Sequence, residues 1–513
     1  MSRAFESART HRLVLARHEE ERRLRELGHR PVPARRMGGF GNFAAGFSVI
    51  SVLSGCMTLY GFGLGTGGPA VMLWGWAGAG LLVLCAGLAL AEVTSSCPAS
   101  GALYYVAGRL GGRRWGWYTG WLNLLGLLGA IAGADYGAAL FTGAFANLRW
   151  GWEPTPGRTM LVFIAILLLH AVLNLFGIRL LGVLNSVSVW WHLGGVALIA
   201  GALAVVPDHH RPPSFVFTTF VDDTGWSHPL YVAAVGLLLA QYTLSGHDAC
   251  AHLAEETAGA SVAVARGIVR SIGVSWLAGL VLLAGLTFAI RDYDTTLASP
   301  TGVPPAQILL DGLGRDGASA VLLVVIVAQL LCGAAVVAVA GRMVFAFSRE
   351  RALPGSSLWR RVGGRTRTPV AAVWLSVSLA CVLALPSLYS ATAYGAVTAV
   401  GVVGFAPAYA IPVLLRLRAG DRFRPGPWRL GRFGRPVGWT AVVWGALATV
   451  LFCLPQSSPV TVGTLNYAPV ALAAVLILAS VWWYVARRPY GGTPASSAYG
   501  TERDQAELAE GIV

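Results

Sequence analysis

Long apolar runs dominate the chain, at about 43–60, 70–93, 116–147, 159–177, 181–206, 229–253, 271–290, 318–344, 369–386, 389–415, 437–455 and 466–486. Crossing a bilayer takes about 20 consecutive apolar residues in a helix. A spanning segment must also satisfy its own backbone hydrogen bonds, which leaves helices as the solution for runs of this kind. The twelve runs therefore predict an all-α polytopic membrane protein of about twelve transmembrane helices. Composition points the same way. Only 12% of the 513 residues are charged, against about 25% in a soluble domain, and the mean hydropathy is +0.62. A disordered chain, a nucleic-acid-binding basic domain and an ordinary cytosolic enzyme are excluded on these grounds.

The formal charge of +14 becomes informative once it is sorted by position. No lysine occurs, so all 38 basic residues are arginine. If the N-terminus is cytoplasmic, the runs put 33 arginines inside and 5 outside, the latter being Arg149, Arg158, Arg211, Arg291 and Arg315. Cytoplasmic loops carry such an excess. The expectation is an inner-membrane, multi-pass protein with both termini cytoplasmic. Its parts are an Arg-rich tail (1–42), a twelve-helix domain (43–486) and a C-terminal tail (487–513). Anionic lipid headgroups are the partners the arginines imply, and no nucleic acid is needed. The seven cysteines show neither disulfide nor metal spacing and read as packing residues.

Two spans are interrupted by helix-weakening residues. The first carries Ser51-Val52-Leu53-Ser54-Gly55-Cys56-Met57-Thr58, and the sixth carries Gln241-Tyr242-Thr243-Leu244-Ser245-Gly246-His247-Asp248. Spans 1 and 6 are corresponding members of two five-helix halves. Paired interruptions of this kind point to a binding site in which freed backbone groups meet a ligand. Small residues also serve plain helix packing, which is the bland alternative. Ionisable groups within spans are few: Asp135, His170, His192, His247, Asp248 and His252. Burying charge in a bilayer is costly, so each is a functional candidate. Asp135 and Asp248 are the candidates to carry a coupling proton, the alternative being a neutral group bonded to backbone. Glu92, Glu255 and Glu256 sit at span ends, where an ion pair with a loop arginine is expected. Gly63 to Gly68 spells G-x-G-x-x-G, but no strand precedes it, so no dinucleotide is expected there. No cofactor, metal set or nucleophile–base pair is read.

Several long stretches then resemble a known family. They are TLYGFGLGTGGPAVMLWGW (Thr58 to Trp76), PASGALYY (Pro98 to Tyr105), GWLNLLG (Gly120 to Gly126), NSVSVWWHLGG (Asn185 to Gly195), SGHDACAHLAEET (Ser245 to Thr257), GRMVFAFSRERALPGS (Gly341 to Ser356) and TLNYAPVAL (Thr464 to Leu472). Together they look like the amino acid–polyamine–organocation superfamily, in its amino acid/choline permease branch, which includes bacterial GABA permeases. The resemblance runs from about residue 40 to 490.

That resemblance implies two inverted five-helix repeats (about 43–206 and 229–415) with broken helices 1 and 6, plus helices 11 and 12 (about 437–486). It implies that a substrate carboxylate meets the backbone at Leu53, Ser54 and Gly55, with Ser51 and Thr58 nearby. The amine end would meet Leu244, Ser245 and Gly246, and Tyr242 matches an aromatic gate. Three places depart from the family pattern, one of them the cytoplasmic stretch Arg349-Glu350-Arg351, where Arg-Asp-Gly is more usual. His247 stands where an aromatic is expected, and Leu127 where many relatives carry Gln; both are expected at or beside the pocket, which bears on GABA itself as substrate. Span 5 also lacks the lysine that couples protons elsewhere in the superfamily. The implied activity is secondary active import of an amino acid or amine-containing relative (GABA-like, choline-like or polyamine), with proton symport. An exchanger, an exporter and a non-transporting nutrient sensor are the alternatives.

Overall fold

The computed structural model describes residues 37–97, 101–299, 301–363, 368–389 and 393–491. Most of the expected N-terminal tail, the C-terminal tail beyond residue 491, the stretch Pro98–Ser100, and Arg365 and Arg367 lie outside the described residues. Ten helices are long and apolar enough to cross a membrane: Gly39–Thr58, Gly68–Ser96, Arg113–Trp150, Pro156–Leu175, Arg179–Val205, Ala260–Phe288, Pro304–Arg349, Val370–Leu388, Tyr394–Arg422 and Ala468–Ala486. Two shorter ones, Pro229–Thr243 and Gly434–Leu451, complete twelve spans among the described residues. They are numbered 1 to 12 here in chain order. The protein is thus an all-α polytopic membrane protein.

Local chemistry explains where many of these helices start. Spans 2, 4, 6, 8 and 12 carry proline in their first turn, where the missing N–H costs nothing. Thr155 caps span 4 by accepting the Arg158 N–H at 3.3 Å. Packing then selects glycine where backbones touch. A Cβ on Gly129 of span 3 would lie 2.5 Å from the Gly401 nitrogen of span 10, so Gly129 admits no side chain. The outer surface exposes Trp74, Leu161, Trp190, Leu230, Val450 and Val485, as lipid contact requires.

Both described ends lie on one face. Arg113 donates to the carbonyls of Arg487, at 2.6 Å, and Tyr490, while the Met37 N–H donates to the Glu256 carbonyl at 3.0 Å. The expected ion pairs form on this arginine-rich face: Arg416–Glu92 at 2.7 Å, Arg342–Glu256 at 2.8 Å and Arg349–Glu255 at 3.3 Å. Several helix starts differ from the hydropathy reading, span 8 among them, which begins at Pro304 and not at 318. Span 1 begins at Gly39, so residues 39–42 belong to it and not to the tail. Asn42 hides this from hydropathy, because its cost of burial is met by tertiary partners, the Cys250 carbonyl at 2.9 Å and Thr257 Oγ1 at 3.0 Å. Span 7 begins at Ala260, ahead of residue 271, because a helical turn carrying Arg266 and Arg270 precedes the apolar run.

Candidate functional site

Span 1 breaks at a single residue. Helix Gly39–Ile50 ends, Ser51 takes φ 42° and ψ 78°, and a second helix runs Val52–Thr58. The Ser51 carbonyl accepts the Ser54 and Gly55 N–H groups at 2.9 and 3.0 Å. Val52 and Leu53 therefore open a new helix, and their N–H groups have no backbone acceptor. Positive potential at a helix start favours an anion.

Span 6 breaks over five residues. Its first helix ends at Thr243, Leu244–Asp248 is unwound, and only short turns follow at Ala249–His252 and Ala254–Glu256. Gly246 has φ 87°, and its N–H donates to Tyr409 Oη at 3.2 Å. Where the helix unwinds, the Gln241 carbonyl accepts the Ser245 hydroxyl at 2.6 Å. The two breaks touch. A Cβ on Gly55 would collide with the Thr243 side chain.

Between the breaks lies a small cavity lined by Ser54 and Gly55, Ala130 and Ala134 of span 3, Tyr242, Ser245 and Gly246, Cys332 of span 8 and Phe405 of span 10. Its free space of about 20 Å³ fits one water. A vestibule of about 860 Å³ opens toward the face opposite the arginines, with Thr58, Tyr136, Asp223, Tyr394 and Gln456 in its wall. Tyrosines stand between vestibule and cavity. Tyr394 Oη donates to the Gly133 carbonyl at 3.2 Å, and a Cβ on Gly133 would collide with Tyr242 Oη. The other face is shut by its ion pairs and by Tyr105, which donates to Glu350 Oε1 at 2.6 Å. Burial pushes the Glu350 carboxyl up, against the pull of Tyr105 and Arg349.

Five residues singled out from the sequence meet in the cavity: Ser54, Gly55, Tyr242, Ser245 and Gly246. Ser51 is the hinge and Thr58 lies in the vestibule wall. Leu53 lies outside the lining, and its side chain packs beside Gly195 of span 5, where a Cβ would lie 2.8 Å from Leu53 Cδ1. Leu244 is buried outside the lining. Leu127 also lies outside it, one helical turn from Ala130 toward the arginine-rich end. His247 turns away, because Gly246 reverses the chain just before it. It lines a separate small pocket with Gln241, Tyr409 and Trp444.

The in-span acids differ in how they are held. Asp248 is fully buried and accepts from Asn123 Nδ2 at 2.6 Å, Tyr409 Oη at 2.7 Å and His252 Nε2 at 3.2 Å. Asp135 pairs with His170 Nδ1 at 3.0 Å, while its Oδ1 and His170 Nε2 have no hydrogen-bond partner. Asn123, Cys332, Tyr394, Phe405 and Tyr409 were not singled out from the sequence. Asn123 carried a usable signal, a polar residue amid the apolar run of span 3. The others look like ordinary packing residues in sequence.

A family model described as amino acid permease matches residues 36–478. The amino-acid permease BAT1 of Arabidopsis thaliana is 37% identical over 496 residues, covering 93% of this chain and 96% of its own. Amino-acid permease 2 of Neurospora crassa is 32% identical, covering 92% of this chain and 88% of its own. The GABA-specific permease of Saccharomyces cerevisiae is 29% identical, covering 95% and 88% respectively. With two broken spans enclosing a cavity, and with relatives aligned along almost the whole length, the chain belongs to the amino acid permease family and is an amino acid transporter, not an enzyme.

Proposed function

We propose that the protein imports an amino acid bearing a separate amine, GABA-like in character, across the cytoplasmic membrane by proton symport and alternating access. The observation that carries this reading is the facing pair of breaks. Unpaired N–H groups of Val52 and Leu53 stand at a helix start, and the Ser245 hydroxyl oxygen and the Gly246 turn stand in the cavity lining contributed by span 6. The first set suits a carboxylate and the second an ammonium. Similarity to the GABA-specific permease of yeast supports the amine-bearing class. The arginine-rich face is cytoplasmic in this reading, with both tails there and anionic lipids beside it. The spans form two inverted repeats (about 43–206 and 229–415) with spans 11 and 12 appended. The vestibule then faces outward, and the ion-paired face is the closed inner gate.

Symport needs a buried group that changes its protonation, and Asp135 and Asp248 are the in-span acids available. Purified protein in liposomes, offered labelled amino acids, GABA, choline and polyamines, is expected to accumulate an amine-bearing acid under an inward proton gradient. Absence of accumulation of every compound under proton and sodium gradients alike overturns the reading. Uptake that needs internal counter-substrate makes the protein an exchanger.

A further inference from the structure

His192 of span 5 touches the very residue at which span 1 breaks. Its Nδ1 lies 2.8 Å from the Ser188 carbonyl, one turn back on the same helix. A carbonyl only accepts, so Nδ1 carries a hydrogen. A neutral imidazole then presents a bare Nε2, which lies 2.7 Å from Ser51 Oγ. The Ser51 hydroxyl is therefore the donor. Both residues are fully buried, and the Phe47 ring packs edge-on against the imidazole with centroids 5.8 Å apart.

Ser51 needs such a partner. Its φ of 42° lies in the left-handed region, where glycine is at ease and other residues are strained. Among the described residues only Arg351 shares a positive φ without being glycine. The strain sits immediately before the two N–H groups that open the second helix of span 1 and have no backbone acceptor.

We propose that His192 is a positioning residue for the substrate: by accepting the Ser51 hydroxyl it holds the break of span 1 in the one geometry that presents the Val52 and Leu53 N–H groups. The substrate clause rests on the transport reading above; the structural clause does not. A serine in this conformation needs a latch, and a glycine does not. The latch also links span 5 to span 1, so the position of the binding amides depends on a helix that lends no atom to the cavity lining.

The difference between serine and glycine supplies the test. Four variants of the full chain are prepared in nanodiscs and liposomes: S51A, S51G, H192A and S51G/H192A. Hydrogen–deuterium exchange is read over residues 47–58, and uptake is read with labelled amino acids and GABA. S51A keeps the strain and loses the bond, so exchange across 51–55 should rise and half-saturation should increase about three- to tenfold, with the maximal rate less affected. H192A should do the same. S51G should stay within about twofold of wild type, and S51G/H192A should recover most of what H192A loses, because glycine accepts the left-handed backbone unaided.

Equal effects of S51A and S51G overturn the proposal, as does a double variant no better than H192A, since either makes the imidazole a space-filler. If H192A does not fold, the S51A–S51G pair decides. If wild type takes up nothing, the transport reading fails while the exchange measurement still settles the latch.

Discussion

The two breaks solve one problem by different means. Span 1 breaks at one strained residue, Ser51, whose hydroxyl bonds a histidine. Span 6 breaks over Leu244–Asp248 and is anchored by a carboxylate with three donors from spans 3, 6 and 10. A buried carboxylate survives in a membrane only when its oxygens are satisfied. The break that contains a charge is therefore tied to its neighbours at several points. The uncharged break needs only to offset a strained dihedral.

This contrast is open to test, starting with the largest effect. Asp248→Ala strands the Asn123, Tyr409 and His252 donors together and should cost about 3 kcal/mol or more, read as lowered thermal stability in detergent with transport lost. If instead D248A melts like wild type, the anchored side of the comparison collapses. Next comes Gly55→Ala, whose Cβ meets the Thr243 side chain. It should cost about 1–3 kcal/mol by overpacking, and Thr243→Ala should restore much of that loss in a double-mutant cycle. Additive effects there would mean that the breaks do not press on each other. Tyr409→Phe removes one donor to Asp248 and the acceptor of the Gly246 N–H. A loss of about 1–2 kcal/mol is expected, visible as faster exchange at residues 244–248 and unchanged exchange at 51–55. Ser51→Gly should be the mildest, within about 0.5 kcal/mol of wild type, because relieved strain offsets the lost hydroxyl bond.

A separate measurement bears on coupling. Asp135 has one unbonded oxygen and a single imidazole partner, whereas Asp248 is saturated with donors. Dependence of uptake on the proton gradient should therefore weaken more in Asp135→Asn than in Asp248→Asn. Full retention in D135N, with loss in D248N, would reverse the assignment.

Much of this is legible in the sequence. The interruptions at Ser51–Thr58 and Gln241–Asp248 stood out as polar and small residues at membrane depth, and both are breaks. The acids Glu92, Glu255 and Glu256 are readable as partners of arginines on the same face, although those partners, Arg416, Arg349 and Arg342, sit on the ends of helices and not in loops. The direction in which single side chains point was less legible. His247 sits next to Asp248 in sequence but faces a different pocket, because the left-handed Gly246 reorients the chain just before it. Leu127 shares a helix face with Ala130 yet misses the lining by a turn. Tyr394 and Tyr409 carried no mark in sequence, since an aromatic in an apolar span is ordinary.

The sequence by itself determined that the chain crosses a membrane in helices, which face holds its arginines, and where two helices fail. Each of these depends on residues close together in the chain. The tertiary structure decided which groups meet: Asn123 and Asp248 are 125 residues apart, Tyr409 and Asp248 are 161 apart, and Ser51 and His192 are 141 apart. Hydropathy and spacing register the cost of a buried polar group but not the partner that repays it, because that partner arrives on another helix.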